Sequence, residues 1–261
     1  GGIRPMAAAI AKILIGLSVL VLIGLGFFFI PPHIQVRSVE PAIPSEADLR
    51  TFTSVADGPV AINYIVNAAQ PALGRRLSHT SIIIEWADGR LFMIDAGMDS
   101  EGAAAFAELI KSIGGGGDAT FVGTVGDQLG DAIQNVKGVG FTHLHIDHTQ
   151  GVSAFCNARG DGATAFQSRW QNELHNFNTT EGAALVANSC LETQVLEDAA
   201  IMGMPDFPGL GLVALGGHTP GSTLFAASVE GRLWLFSGDI TNTMVNLLSN
   251  TGKGFVYSNL L

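Results

Sequence analysis

Within this chain of 261 residues, the run His143-Leu144-His145-Ile146-Asp147-His148 gathers three imidazoles and a carboxylate, and His218 and Asp239 follow far downstream. The run comes directly after an apolar stretch, Val139 to Phe141, that reads as a strand ending in a tight loop. A strand fixes the base of such a loop, so side chains leaving it can converge on one point. His143 and His145 alternate by two and leave the same side of extended backbone. Asp147 and His148 follow where the chain turns and can face a second ion beside the first. Imidazole and carboxylate are ligands that zinc selects, and catalytic sites keep one position open for water. Two ions about 3.5–4 Å apart can share a hydroxide and a leaving oxygen. A metal site explains this spacing better than a solvated His-rich loop.

His-x-His-x-Asp-His resembles the signature of the metallo-β-lactamase superfamily, and further landmarks follow in that family's order. Leu91-Phe92-Met93-Ile94-Asp95-Ala96-Gly97 resembles the strand that precedes its first long helix, Gly216-Gly217-His218-Thr219-Pro220-Gly221-Ser222 its third-imidazole loop, and Phe236-Ser237-Gly238-Asp239 the strand end carrying a bridging carboxylate. The match covers about Leu77 to Asn242. The resemblance implies an α/β fold, the αβ/βα sandwich with metals at one edge. It also implies that His143, His145 and His218 hold one zinc, Asp147 and His148 a second, with Asp239 bridging. Asp147 would orient the attacking water or take its proton. Asp95 would steady the ligand loop by hydrogen bonds without touching metal; the other reading is a turn residue ahead of Gly97.

The chain departs from the family pattern in places. Thr149-Gln150-Gly151 has Gln150 where the family carries the first of two glycines, and no histidine follows His218. The sequence begins with Gly1 and ends at Leu261, so the expected catalytic domain, 51–261, is read as incomplete on its C-terminal side. Some lactonases carry a tyrosine three residues after the bridging Asp; Asn242 stands there, which argues against an acyl-homoserine lactonase.

Ile13 to Ile30 is free of charge over eighteen residues, enough to span about 27 Å as a helix. No small-residue cleavage site follows, so residues 6–30 read as an uncleaved signal-anchor helix and 31–50 as a linker. Arg4 and Lys12 put the N-terminus in the cytoplasm and the catalytic domain on the extracytoplasmic, periplasmic side. The net charge of −10 argues against a nucleic-acid partner, and the resemblance implies a small-molecule substrate. Cys156 and Cys190 suit either one disulfide or two buried thiols. His33 reads as solvated at the membrane flank and His175 as exposed on a helix. His79 reads as making a local hydrogen bond at the start of a strand, Thr80 to Trp86.

Ala87-Asp88-Gly89 predicts a hairpin onto Leu91 to Ile94, and Glu230-Gly231-Arg232 a second, between Ser222–Val229 and Leu233–Ser237. Ser100 is placed as the cap of a helix ending at Gly114, and Gly126 to Val136 as a helix leading into the metal strand. Trp170, Phe177 and Met202-Gly203-Met204 read as core or loop packing, in a stretch that the resemblance places near the substrate cleft. The expected activity is hydrolysis of an ester, lactone, thioester or amide by a zinc-bound hydroxide. The competing readings are an iron-dependent persulfide dioxygenase and a non-catalytic membrane-anchored binding protein.

Overall fold

The longest strand, β1 (Pro59–Ala72), pairs along its length with β2 (Arg75–Trp86). In this computed structural model, which describes residues 3–37, 43–72 and 74–254, that pair anchors a seven-stranded sheet. The other members are β3 (Leu91–Ile94), β4 (Thr120–Phe121), β5 (Val136–Gly140), β6 (Thr164–Gln167) and β7 (Glu192–Val195), in the order β4-β1-β2-β3-β5-β6-β7. The β1-β2-β3 side is antiparallel, whereas β3, β5, β6 and β7 run parallel. A second sheet is antiparallel, ordered β11-β10-β9-β8 from β8 (Met202–Gly203), β9 (Leu210–Ala214), β10 (Thr223–Val229) and β11 (Arg232–Phe236).

The two sheets face each other over Ile84, Trp86, Phe92, Ile94 and Phe166 from one side and Met202, Leu210, Leu212 and Phe225 from the other. Successive strand residues point to opposite faces, so Ile83, Met93 and Val139 project the other way. There they meet Val125 of α4 (Val125–Leu129), Val152 and Phe155 of α6 (Val152–Arg159), and Val186 of α8 (Thr180–Ala187). The outer face of the second sheet buries Leu49 of α2 (Glu46–Thr53) against Val213, Leu224 and Ala226. Helices thus cover both outer faces, which is the αβ/βα layering expected from the sequence.

Both predicted hairpins form. Gly89 and the Glu230-Gly231 pair take the positive φ that their turns require. Other expectations are corrected. The apolar helix α1 (Ile3–Arg37) continues past Ile30 through Pro31 and Pro32, and α2 starts behind a Ser45/Asp48 capping box, so the segment expected as a linker is helical at both ends. Residues 38–42, the middle of that linker, lie outside the described residues, as do 255–261 and the side chain of His33. The cap of α3 (Ser100–Gly114) is Asp99 rather than Ser100, because the Asp99 carboxylate accepts from the Gly102 amide at 2.8 Å. The helix expected from Gly126 to Val136 is interrupted: Gly130 takes φ 51°, and a 3₁₀ turn follows over Gly130–Asn135. Strand β1 was not foreseen, because its buried residues include Asn67 and Gln70, which blur the apolar alternation.

Cys156 on α6 and Cys190 are disulfide-bonded, with Cα atoms 5.6 Å apart, which decides between the two readings. The α1 segment Met6–Phe27 is long and apolar enough to cross a membrane, with a mean hydropathy of 2.5 and none of it buried in the protein.

Candidate metal centre

Strand β5 ends at Gly140, and the loop that follows carries Thr142, His143 and His145 into α5 (Ile146–Thr149), a single turn bearing Asp147 and His148. The end of neighbouring strand β3 holds this loop at both ends. The Asp95 amide donates to Gly140 O and the Gly151 amide to Gly97 O, each at 2.8 Å, and Ala96 N donates to His148 O at the same distance. Gly151 must be glycine, because a Cβ there would sit 2.2 Å from Ala96 O. Gln150, at the departure from the family pattern, turns its amide oxygen to the Asp99 amide at 2.7 Å. Gly102 leaves room for that side chain, since a Cβ at Gly102 would meet Gln150 Oε1 at 2.4 Å.

Asp95 combines a turn conformation with hydrogen bonds to the histidine-bearing loop. It adopts a left-handed φ of 61° in the turn before Gly97. Its carboxylate also accepts from Thr142 N and Thr142 Oγ1, both at 2.8 Å, and from His148 Nδ1 at 2.9 Å. Thr142 Oγ1 has given its proton to Asp95, so at 3.2 Å from His143 Nδ1 it is the acceptor. That relay leaves a lone pair on Nε2 of His143, and on Nε2 of His148 once that ring is neutral.

The loop between β9 and β10 delivers His218. Thr223 N donates to Thr142 O at 2.7 Å, joining the two loops, and Gln171 Nε2 donates to Phe141 O at 2.8 Å and Gly221 O at 3.1 Å. Gln171, on α7 (Arg169–Glu173), is therefore a staple between the loops, and no sequence signal marked it. His143, His145 and His218 are all buried, with ring centroids 4.6–4.8 Å apart. His143, His145 and His218 form one group able to hold a metal ion, and His143, Asp147 and His148 another; in each, the ligand atoms lie within 4.8 Å of one another. Asp239 follows β11 on a turn at Gly238, whose φ is 53° and whose Cβ, if present, would sit 2.3 Å from Thr142 Oγ1. Asp239 Oδ1 lies 3.8 Å from His148 Nε2, and Asp147 Oδ2 3.6 Å from the same nitrogen.

The donor set fits a metal. His145 Nε2 and both ring nitrogens of His218 are buried with no hydrogen-bond partner, which is costly unless an ion takes the lone pairs. Burial, with the neighbouring His148, His218 and His145 charges, holds His143 well below its ordinary range. Burial likewise lowers His145 to about 4 and His218 to about 2, in His218 with help from Lys253. All three imidazoles are thus neutral at pH 7, the form that binds metal. His148 differs. Burial opposes its charge, but Asp147, Asp95 and Asp239 more than offset that and push it up to about 10. Burial raises Asp147, yet His148, His79 and His145 leave it below the usual carboxylate range.

His79 is corrected. Its partner is not local: Nδ1 lies 3.5 Å from Asp147 Oδ2, with the ring buried edge-on against Phe106. The register shift between Val66 and Ala68 of β1, opposite His79, re-aims this part of the sheet. Lys253 was also missed; its Nζ donates to Asp239 Oδ2 at 3.0 Å. His175 is exposed, as expected, beside a cavity of about 270 Å³ also lined by Leu144, Gln167 and Gln171. Met202 and Met204 are core, Trp170 packs against that core, and Phe177 is exposed.

An αβ/βα sandwich with clustered imidazoles at the ends of its strands is the architecture of a metal-dependent hydrolase. The chain belongs to the metallo-β-lactamase superfamily, whose family model matches residues 74–255. Among solved structures, a Bacillus thuringiensis AiiA mutant with N-decanoyl-L-homoserine at its active site is 16% identical, with 77% of this chain and 85% of that chain covered at a TM-score of 0.55. A quorum-quenching N-acyl homoserine lactone lactonase is 15% identical, with coverage of 77% and 83% and a TM-score of 0.56. An N-acyl homoserine lactone hydrolase with N-hexanoyl-L-homoserine at its catalytic metal centre is 16% identical, covering 77% and 84% at a TM-score of 0.54. At these identities the likeness is one of fold. No curated protein sequence matched the chain.

Proposed function

We propose that this protein is a zinc-dependent hydrolase of a small carbonyl substrate, an ester, lactone, thioester or amide, tethered to a membrane by α1. The observation that carries the reading is the convergence of three buried, neutral imidazoles beside a second group, Asp147, His148 and Asp239. His143, His145 and His218 would hold one ion; Asp147 and His148 face a second, with Asp239 between. Zinc, when bound, supplies a water nucleophilic at neutral pH and polarises a carbonyl oxygen. The residues supply the rest. Asp95 sets the tautomers of His143 and His148, and Asp147 would orient the water and take its proton. Gln171 holds the two ligand loops together.

Lactone or ester cleavage is favoured within this class by the fold shared with lactonases, while Asn242 argues against the acyl-homoserine subclass. The Cys156–Cys190 disulfide supports an extracytoplasmic catalytic domain, since disulfides persist in oxidising compartments. Arg4 and Lys12 ahead of the apolar run support the same orientation.

The test uses the 261-residue chain in detergent, loaded with zinc and assayed on lactones, aryl esters, thioesters and a β-lactam. Turnover of at least one class, abolished by His145→Ala with the fold intact, is expected. Turnover unchanged in H145A would sink the metal-hydrolase reading, and iron as the sole metal in the native protein would replace it with the dioxygenase.

A further inference from the structure

We propose that Lys253 is a built-in cation on the second-ion side of the centre, holding one oxygen of Asp239 and tuning the protein toward a single tightly bound ion. The inference rests on the metal-hydrolase reading and concerns how that site divides its charge. Three groups face the second position, Asp147, His148 and Asp239, and two of them are carboxylates. Asp239 points Oδ1 toward His148 Nε2 at 3.8 Å and Oδ2 toward Lys253 Nζ at 3.0 Å. A carboxylate oxygen that accepts from an ammonium has less negative charge to offer an ion, and here one of the two oxygens is so engaged.

The contact is not an incidental surface pair. The Lys253 side chain is only 11% exposed, so its stem is packed and its charge is delivered inward. The chain reaches this point through α9 (Met244–Leu248) and a turn in which Thr251 N donates to Asn246 O at 2.9 Å. A single positive charge cancels one of the two carboxylate charges that would attract a divalent second ion, and it repels that ion at short range. The three-imidazole position loses no ligand to Lys253. Lysine suits the task, because an ammonium gives a compact charge without binding metal while protonated.

The test counts zinc. The metal-stripped 261-residue chain in detergent is dialysed against a series of free zinc concentrations, and bound zinc per chain is measured for wild type, Lys253→Met, Lys253→Gln and Lys253→Arg. Wild type is expected to fill one position first and a second only at distinctly higher zinc. K253M and K253Q are expected to tighten the second ion by at least about tenfold, the scale on which groups outside the ligand set tune metal affinity. The first ion should be little changed, and K253R, which keeps the charge, should behave as wild type. Two ions of equal affinity in wild type would overturn the proposal, as would an unchanged second ion in both neutral variants. If no folded variant, nor wild type, binds zinc at all, the metal-hydrolase reading itself fails and the proposal falls with it.

Discussion

Replacing Asp95 by alanine removes the hydrogen bonds to Thr142 N, Thr142 Oγ1 and His148 Nδ1 at one stroke. A hydrogen bond to a charged acceptor contributes about 1.5–3 kcal/mol. The carboxylate is 7% exposed, so its removal also relieves some desolvation, and we expect a net loss of roughly 3–5 kcal/mol from the three together. Alanine at the φ of 61° adds about 1–2 kcal/mol of backbone strain. Asp95→Gly separates the two costs, because glycine accepts that conformation. Asp95→Asn is the more telling variant, since asparagine tolerates the left-handed region and keeps an acceptor for Thr142 N. Its amide nitrogen would then face Thr142 Oγ1 and His148 Nδ1 as a donor. Thr142 must turn its proton to His143 Nδ1, and His148 Nδ1 must accept, so both rings move their protons to Nε2 and lose the lone pairs aimed into the centre. D95N is therefore expected to fold nearly as wild type while losing about 10–100-fold in zinc affinity. The assay pairs urea unfolding followed by tryptophan fluorescence, for which buried Trp86 is a reporter, with zinc titration. A loss under about 1 kcal/mol in D95A, or undiminished zinc affinity in D95N, would refute the relay from Asp95 to the ligand rings.

Three more outcomes follow from the same geometry. His145, lowered to about 4 by burial, is bound neutral, so its contribution to metal-free stability is present above the ordinary pKa near 6.5 and lost as pH falls through 4. That is about 3 kcal/mol for His145 alone; His148, pushed up to about 10, acts in the opposite sense and loses its contribution as pH rises through 10. Metal-free stability should thus peak near neutral pH and zinc should move the acid limb downward; a flat profile from pH 7 to 4.5 in denaturant melts would contradict this. Gly238→Ala forces a Cβ against Thr142 at a φ of 53°, and a stability loss of about 2–4 kcal/mol with weakened zinc binding is expected in the same melts. Removing the disulfide, which closes a sequence separation of 34, with Cys156→Ala/Cys190→Ala should cost about 3–4 kcal/mol by urea unfolding, with turnover retained once the protein is folded.

Much of the centre was legible because metal chemistry is written in residue type and spacing. His143, His145, Asp147 and His148 lie within one loop, so short-range geometry alone brings them together. His218 and Asp239 came from the resemblance, and the fold brings His218 into the imidazole cluster and Asp239 beside His148. The hairpin turns were legible for an equally local reason, since Asp88-Gly89 and Glu230-Gly231 meet the positive-φ demand of a tight turn. Strand β1 was not, because the polar Asn67 and Gln70 are among its buried residues, and only the fold buries them. Asn67, for instance, accepts from Ser81 Oγ at 3.0 Å across the strand pair.

By itself, then, the sequence determined the ligand-bearing loop, the apolar N-terminal helix, the two hairpins that flank the metal motif, and the family to which they belong. Those are properties of residue type and near-neighbour spacing, which the chain carries before it folds. Only the tertiary structure decided that His79 stands against Asp147, that Gln171 staples the two ligand loops, that Cys156 meets Cys190, and that Lys253 takes an oxygen of Asp239. Each of these joins residues far apart in the chain, and no local rule of spacing or propensity encodes which distant side chains the packing of two sheets will bring within a few ångströms.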